Sequence, residues 1–381
     1  MERPIGGNYG YGPSYGMANP VYGTPGMLGA PTAPPANMFD TIPGYEGTLA
    51  GGGGGYLPPP MPTVPMPVPE QAPTPPDWHI PSISEDKARE SLENYVSSKC
   101  CYSSAPVKDG VITSMETFNT YRYRLESFTE SRTSEWSQEP YTGQVVDAGI
   151  QPAPSPWQIP TNPPTFFNDK KETIKVPYTS SAVKNCHTCL GVGRGPCTTC
   201  AGAGNKVCWA CNGSGTRQSD DRCITCSGRG RENCNSCNGQ GSRECETCRG
   251  KRQLLVFINL TVKWSTEKDD FVAQQSSGLR VQNLENVSGK QLFQNAQYML
   301  YPVMGFPDAS VAQASERLVR EHQSKYAQNS RILQQRQTIE LIPITKVNYK
   351  WKGKSHFYYV YGNEFQVNAD DYPATCCCSV M

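Results

Sequence analysis

Six Cys-x-x-Cys pairs lie between Cys186 and Cys248, and the gaps from one pair to the next are 7, 7, 11, 7 and 7 residues, a series that reads the same in both directions. Such symmetry predicts a segment folded back on its own middle. Cys186 and Cys189 then meet Cys245 and Cys248; Cys197 and Cys200 meet Cys234 and Cys237; Cys208 and Cys211 meet Cys223 and Cys226. Each meeting gathers four thiolates, the ligand set of a closed tetrahedral structural zinc site. Three rungs imply three zinc ions. Only the innermost rung has to span the tip of a hairpin, which accounts for the longer central gap, 212–222; pairing neighbours in sequence would leave that gap without a reason.

Five of the pairs are followed by x-Gly-x-Gly, as in Gly202 and Gly204 or Gly239 and Gly241. Glycine suits a chain turning tightly around a metal because it reaches positive φ without a Cβ penalty. The sixth pair keeps Gly250 but has Arg252 at the second position, which reads as the exit from the ladder. From Cys186 to Gly250 the larger aliphatic and aromatic residues are Leu190, Val192, Val207, Trp209 and Ile224. Five side chains cannot offset the ordering of such a segment at roughly 1–2 kcal/mol per residue of backbone. Zinc can, at roughly 10–16 kcal/mol per structural site. A disulfide framework would need an oxidising compartment, and the opening residues Met1 to Gly7 carry no basic flank and apolar stretch of a signal peptide. A redox Cys-x-x-Cys normally occurs once, at a helix start in a βαβ setting, not six times among glycines.

The chain has 381 residues, with 33 prolines and 35 glycines, too many for that length of packed core. Much of the excess lies in residues 1–77, with tyrosine–glycine repeats, the run Gly51 to Gly55 and a proline-rich stretch from Pro58 to Pro76. This region is expected to be a disordered tail that passes into polyproline II. Pro62-x-x-Pro65 has minimal SH3-ligand spacing but lacks the adjacent basic residue, so it reads as spacer. Net charge is +1. The cysteine segment carries ten Lys or Arg against five acids between Cys186 and Arg252, but each zinc with four thiolates contributes −2, and the loaded arm is near neutral. Nucleic acid is therefore not an expected partner. No apolar run approaches the ~20 residues of a transmembrane helix.

The remainder, residues 78–185 and 251–375, predicts an α+β body with a largely antiparallel sheet, into which the arm 186–250 is inserted. Ser84 with a capping-box spacing, then Ala88, Leu92, Tyr95 and Val96, predict a helix over Ser84 to Lys99. Tyr121, Tyr123 and Leu125 alternate as in a strand, and a proline-rich loop follows from Pro140 to Pro164. Ile174 and Val176 before the arm, and Leu254, Val256, Ile258, Leu260, Val262 and Trp264 after it, keep period two. Val311, Ala314, Leu318, Val319, His322, Tyr326 and Leu333 predict a helix from about Asp308 to Gln337. Strands over Ile339 to Trp351 and His356 to Tyr361 form a hairpin through Lys352–Ser355. Pro343 predicts an edge strand or bulge.

No phosphate-binding glycine loop, nucleophile elbow or carboxylate cluster is present, and closed four-sulfur zinc has no open position for substrate, so the chain reads as a non-enzyme. His187 sits within a Cys-x-x-Cys turn beside sites already full, and His322 reads as a packed, hydrogen-bonded core histidine. Residues 376–381 form a cysteine-rich tail: Cys378-Ser-Val-Met matches a farnesylation signal at Cys378, with Cys376 and Cys377 as palmitoylation candidates that would supply the second lipid.

The repeat Cys197-Thr-Thr-Cys200-Ala-Gly202-Ala-Gly204 and its copies resemble the cysteine-rich zinc domain of DnaJ-type co-chaperones, which nests two zinc sites where this chain would have three. The chain lacks His-Pro-Asp, so stimulation of an Hsp70 is not implied. The whole arrangement, with Trp78 near the start of the body, is similar to the Ssu-two homologue family over roughly residues 78–375; that resemblance implies a developmental role, tooth formation in vertebrates. A zinc-stabilised, chaperone-like adaptor for protein or peptide clients is the leading expectation. Alternatives are a lipid-anchored signalling scaffold and a thiol–disulfide oxidoreductase. The expected location is the cytoplasm, with peripheral membrane attachment through lipid, or the nucleus.

Overall fold

The computed structural model describes residues 38–39, 42–50, 55–60, 82–146, 151–217 and 221–375. Its elements in chain order are β1 (Leu49–Ala50), β2 (Gly55–Tyr56), α1 (Glu85–Ser97), α2 (Ala105–Asp109), β3 (Val111–Pro140), β4 (Lys170–Lys175), β5 (Ala182–Asn185), the short arm strands β6 (Arg194–Pro196), β7 (Asn205–Val207), β8 (Arg231–Asn233) and β9 (Ser242–Glu244), then β10 (Gln253–Val272), β11 (Lys290–Gln297), α3 (Ala309–Ala327), β12 (Arg331–Trp351), β13 (Lys354–Tyr361) and β14 (Gln366–Asn368). The described residues fall into two compact units. One comprises those of Glu139–Gly143 and Lys184–Leu254; the other those of Ala36–Gln138, Gln144–Val183 and Leu255–Met381.

The larger unit is built on a sheet with the order β14-β13-β12-β3-β10-β4, in which β1 and β2 also pair with β3 and β11 with β12. Pairings of β12 with β3, β11 and β13, of β13 with β14 and of β10 with β4 are antiparallel, as the α+β expectation required; β1 runs parallel to β3. The period-two face after the arm is real, with Leu254, Ile258, Leu260, Val262 and Trp264 all fully buried, but burial alternates only from Ile258 onward, since Leu255 and Phe257 on the opposite face are buried as well. Helix α1 is capped by Ser84, whose side chain accepts from Lys87 N–H, and lays Ala88, Leu92 and Val96 on Val347, Tyr349, Tyr358 and Val360. Helix α3, capped by Asp308, packs Val311, Leu318 and Val319 on Tyr123, Leu125 and Ile339.

Three expectations need correction. The helix ends at Ala327 and not near Gln337, and Leu333 lies in β12. The strand's period-two pattern is masked because two of its buried positions are polar: Gln335 accepts from Leu300 N–H and donates to Ser127, and Gln337 accepts from the Tyr123 hydroxyl. Pro343 is not on an edge strand, since β12 pairs with β3 throughout. On its other side β11 pairs only up to Leu341 and β13 only from Ile344, so the missing proline N–H falls in the gap between two partners, where no ladder bond is lost. The boundary at residue 77 is also too far along the chain. Met38, Ile42, Tyr45 and Leu57 are buried, and β1 and β2 pair with β3. Of the proline-rich stretch Pro58 to Pro76, on which the polyproline II expectation rests, residues 61–76 lie outside the described residues, as does Trp78.

His322 is a core histidine, as expected. Gln335 donates to Ser127 Oγ (2.8 Å), Ser127 lies 2.8 Å from His322 Nδ1, and His322 Nε2 lies 2.8 Å from Asp269 Oδ2. That run of donors is satisfied by a neutral ring protonated on Nε2. Ser127 has no accessible surface, which separates this Ser–His–Asp row from a nucleophile. Burial holds the His322 pKa below its ordinary value despite the pull of Asp269. The unfolded chain therefore binds a proton near pH 6.5 that the folded state refuses, and the contribution is intact above about pH 6.5 and lost as pH falls below it. Wild type is expected to lose thermal stability between pH 7 and 5.5 more steeply than His322→Gln, a comparison in which the metal rungs are common to both proteins. Equal slopes would remove His322 as the cause.

Candidate metal centre

The smaller unit is a ladder. Strands β6 and β9 pair from Arg194↔Glu244 to Pro196↔Ser242, β7 and β8 pair from Asn205↔Asn233 to Val207↔Arg231, and Thr216 bridges Arg222 beyond them. Each short paired stretch is followed on both sides by a Cys-x-x-Cys turn, so the cysteines arrive in step. The sulfurs of Cys186, Cys189, Cys245 and Cys248 all lie within 4.8 Å of one another, as do those of Cys197, Cys200, Cys234 and Cys237 and those of Cys208, Cys211, Cys223 and Cys226. All twelve are buried. The nested pairing read from the spacing is the pairing in the structure.

The donor set fits zinc in size as well as in kind. A tetrahedron with Zn–S of about 2.3 Å has edges of about 3.8 Å. Across the rungs, Cys186–Cys245 is 3.8 Å, Cys189–Cys248 3.6 Å, Cys197–Cys234 3.8 Å, Cys200–Cys237 3.8 Å, Cys208–Cys223 3.9 Å and Cys211–Cys226 3.7 Å. These are far longer than the ~2.05 Å of a disulfide.

The glycines complete each rung by two hydrogen bonds. The N–H of the second glycine donates to the second cysteine of its own repeat, as Gly204 to Cys200 Sγ and Gly241 to Cys237 Sγ, both at 3.3 Å. Its carbonyl accepts from the first cysteine across the rung: Cys234 N–H to Gly204 O, 2.9 Å, and Cys197 N–H to Gly241 O, 2.8 Å. The strands approach so closely here that a Cβ on Gly204 would stand 2.5 Å from Gly239 O, and one on Gly241 2.4 Å from Gly202 O. Both glycines also have positive φ, 75° and 72°. Arg252 is not the exit from this pattern. It adopts φ 69°, and its carbonyl accepts from Cys186 N–H at 2.9 Å, so it fills the sixth glycine's place in the backbone.

Each rung holds at least one thiol that ionises more readily than an ordinary cysteine. Burial opposes ionisation of Cys197, but the N–H groups of Cys200 and Thr199 outweigh it and bring the pKa to about 6. Cys223 falls to about 6 chiefly through the N–H of Cys226. Cys189 is lowered against its burial by Gly193 N–H and its sulfur neighbours. Such a thiolate is a ready first ligand for a cation.

The five larger apolar side chains of the arm do not form a core. Leu190, Val192, Val207, Trp209 and Ile224 are 83, 65, 62, 77 and 81% exposed. Trp209 and Ile224 stand inside the two cysteine turns of the innermost rung, and Val207 precedes it. The sequence showed that these residues are too few to fold the segment; it did not show that folding leaves them all on the surface. Among the described residues no helix is long and apolar enough to cross a membrane. The lipidation candidates Cys376, Cys377 and Cys378 lie outside the described residues.

No family model and no solved structure matches this chain. Named proteins do. Protein SSUH2 homolog of Danio rerio is 76% identical over 350 residues, covering 92% of this chain and 97% of that protein. Protein SSUH2 homolog of Homo sapiens is 43% identical over 353 residues, 92% of this chain and 94% of that protein, and its namesake in Mus musculus is 39% identical over 316 residues. With identity at this level along nearly the whole length, the chain belongs to the Ssu-two homologue (SSUH2) family.

Proposed function

We propose that the chain is a zinc-stabilised, non-enzymatic adaptor that presents apolar side chains on a metal-clamped arm to unfolded or extended polypeptide. The observation that carries this reading is the complete exposure pattern: twelve buried cysteines supply the ordering energy, and every larger aliphatic or aromatic residue of the arm faces solvent. In an ordinary domain such side chains would be the core. Here metal ligation takes over that task and frees them for contact, since apolar area becomes binding energy only when a partner covers it. The likeness of the repeat to the DnaJ-type zinc domain points to the same class of client. Closed S4 coordination leaves no site for a substrate on the metal, which favours binding over catalysis.

Aggregation of a denatured client, followed by light scattering, tests the proposal. Zinc-loaded protein is expected to suppress scattering, and Trp209→Ser/Ile224→Ser to lose that effect while retaining its zinc. No suppression by the loaded wild type would remove the chaperone-like reading.

A further inference from the structure

We propose that the innermost rung is the exchangeable zinc site of the three, and that Glu232 makes it so. The inference rests on the zinc reading of the ladder. In every repeat the first cysteine donates its N–H to a carbonyl on the facing strand, and the residue two places beyond that carbonyl shares the cysteine's face. Those places are filled differently from rung to rung. The outer rung has Leu254 and Gly195 there, the middle rung Arg243 and Lys206, and the inner rung Glu232 and Arg217. Zinc with four thiolates carries −2. Two cations offset that charge at the middle rung, and a buried leucine stands at the outer one. The inner rung alone has an acid in this place.

The acid is turned inward. Glu232 is half-buried, its carboxyl lies within hydrogen-bonding reach of the Cys208 thiol, and its Oε1 is buried with no hydrogen-bond partner among the described residues. Arg217, at the matching place, is exposed, so water weakens the compensation it gives. A carboxylate held against a dianionic centre raises the energy of the loaded rung. Backbone support falls in the same direction. The middle rung has a three-residue paired stretch on each side, β6 with β9 and β7 with β8. Beyond the inner rung the described residues supply the Thr216–Arg222 bridge and a hydrogen bond from Arg217 N–H to Asp221 O at 2.9 Å. Trp209 and Ile224 stand within the two turns that this ion clamps. Its occupancy therefore governs the apolar tip, while the other two rungs hold the rest of the arm.

Partial chelation of reduced, zinc-loaded, full-length protein tests the assignment, with native mass spectrometry counting ions and alkylation with peptide mapping locating the freed thiols. Wild type is expected to pass through a two-zinc form in which Cys208, Cys211, Cys223 and Cys226 are alkylated and the remaining ladder cysteines are not. Glu232→Gln keeps the shape and removes the charge, and should release that ion about tenfold more slowly while the other two rates stay unchanged. Alkylation first at the middle or outer rung, loss of all three ions together, or an equal rate in Glu232→Gln would overturn the proposal and leave a three-zinc ladder standing. Fewer than three ions in loaded wild type would remove the zinc ladder and this inference with it.

Discussion

Chelating the metal from reduced protein is expected to unfold the arm and to leave the larger unit folded. Among the described residues the ladder is paired over two three-residue stretches, β6 with β9 and β7 with β8, and the single Thr216–Arg222 bridge, and its larger apolar residues are exposed. Removing roughly 10–16 kcal/mol per structural zinc leaves nothing of similar size to oppose the backbone entropy. Hydrogen exchange should show Cys197, Cys234 and Gly204 amides losing protection on chelation, while amides of β3 and β12 keep theirs. A thiol reagent should find the twelve ladder cysteines only after chelation. Acid is expected to have the same effect, because protons compete with the metal for thiolate. Protected arm amides in metal-free, reduced protein would show that the ladder folds by other means.

The second large effect is expected at Arg132. This buried guanidinium pairs with buried Glu130 at 2.6 Å, donates to the carbonyls of Pro156 and Ile159, reaches Thr161 Oγ1 at 3.0 Å, and lies over the Trp157 ring at 4.8 Å. It therefore ties a loop with little regular structure to the C-terminal part of β3. Arg132→Ala strands the Glu130 carboxylate without its partner in the interior, which costs about 3–5 kcal/mol. Thermal unfolding of the larger unit should fall by about 10 °C. Glu130→Gln/Arg132→Met should recover part of the loss, because no charge is then left unpaired. A single variant as stable as wild type would show that the ion pair and its carbonyl contacts contribute no net stability.

Where local chemistry dictates structure, the sequence was readable. A capping serine and an apolar stripe placed α1 within two residues, and an apolar run from Leu254 to Ile258 passing into alternation up to Trp264 placed β10. Where the interior is polar, reading failed: Gln335 and Gln337 look like surface residues until their partners, Leu300 N–H and the Tyr123 hydroxyl, are in place. The N-terminal anchors Met38, Ile42, Tyr45 and Leu57 were diluted among glycines and prolines, so composition over 77 residues hid four buried side chains.

By itself the sequence determined which cysteines meet, because metal ligation is stoichiometric and a palindromic spacing has only one nested solution that keeps the rungs level. Only the tertiary structure decided what the ladder leaves outside, from the exposed Trp209 and Ile224 to the backbone role of Arg252. It alone also brought Tyr102 beside Thr375. The physical reason is range: a thiolate's partner is announced by residue type and spacing, whereas burial and cross-chain register depend on groups hundreds of positions away that no local pattern records.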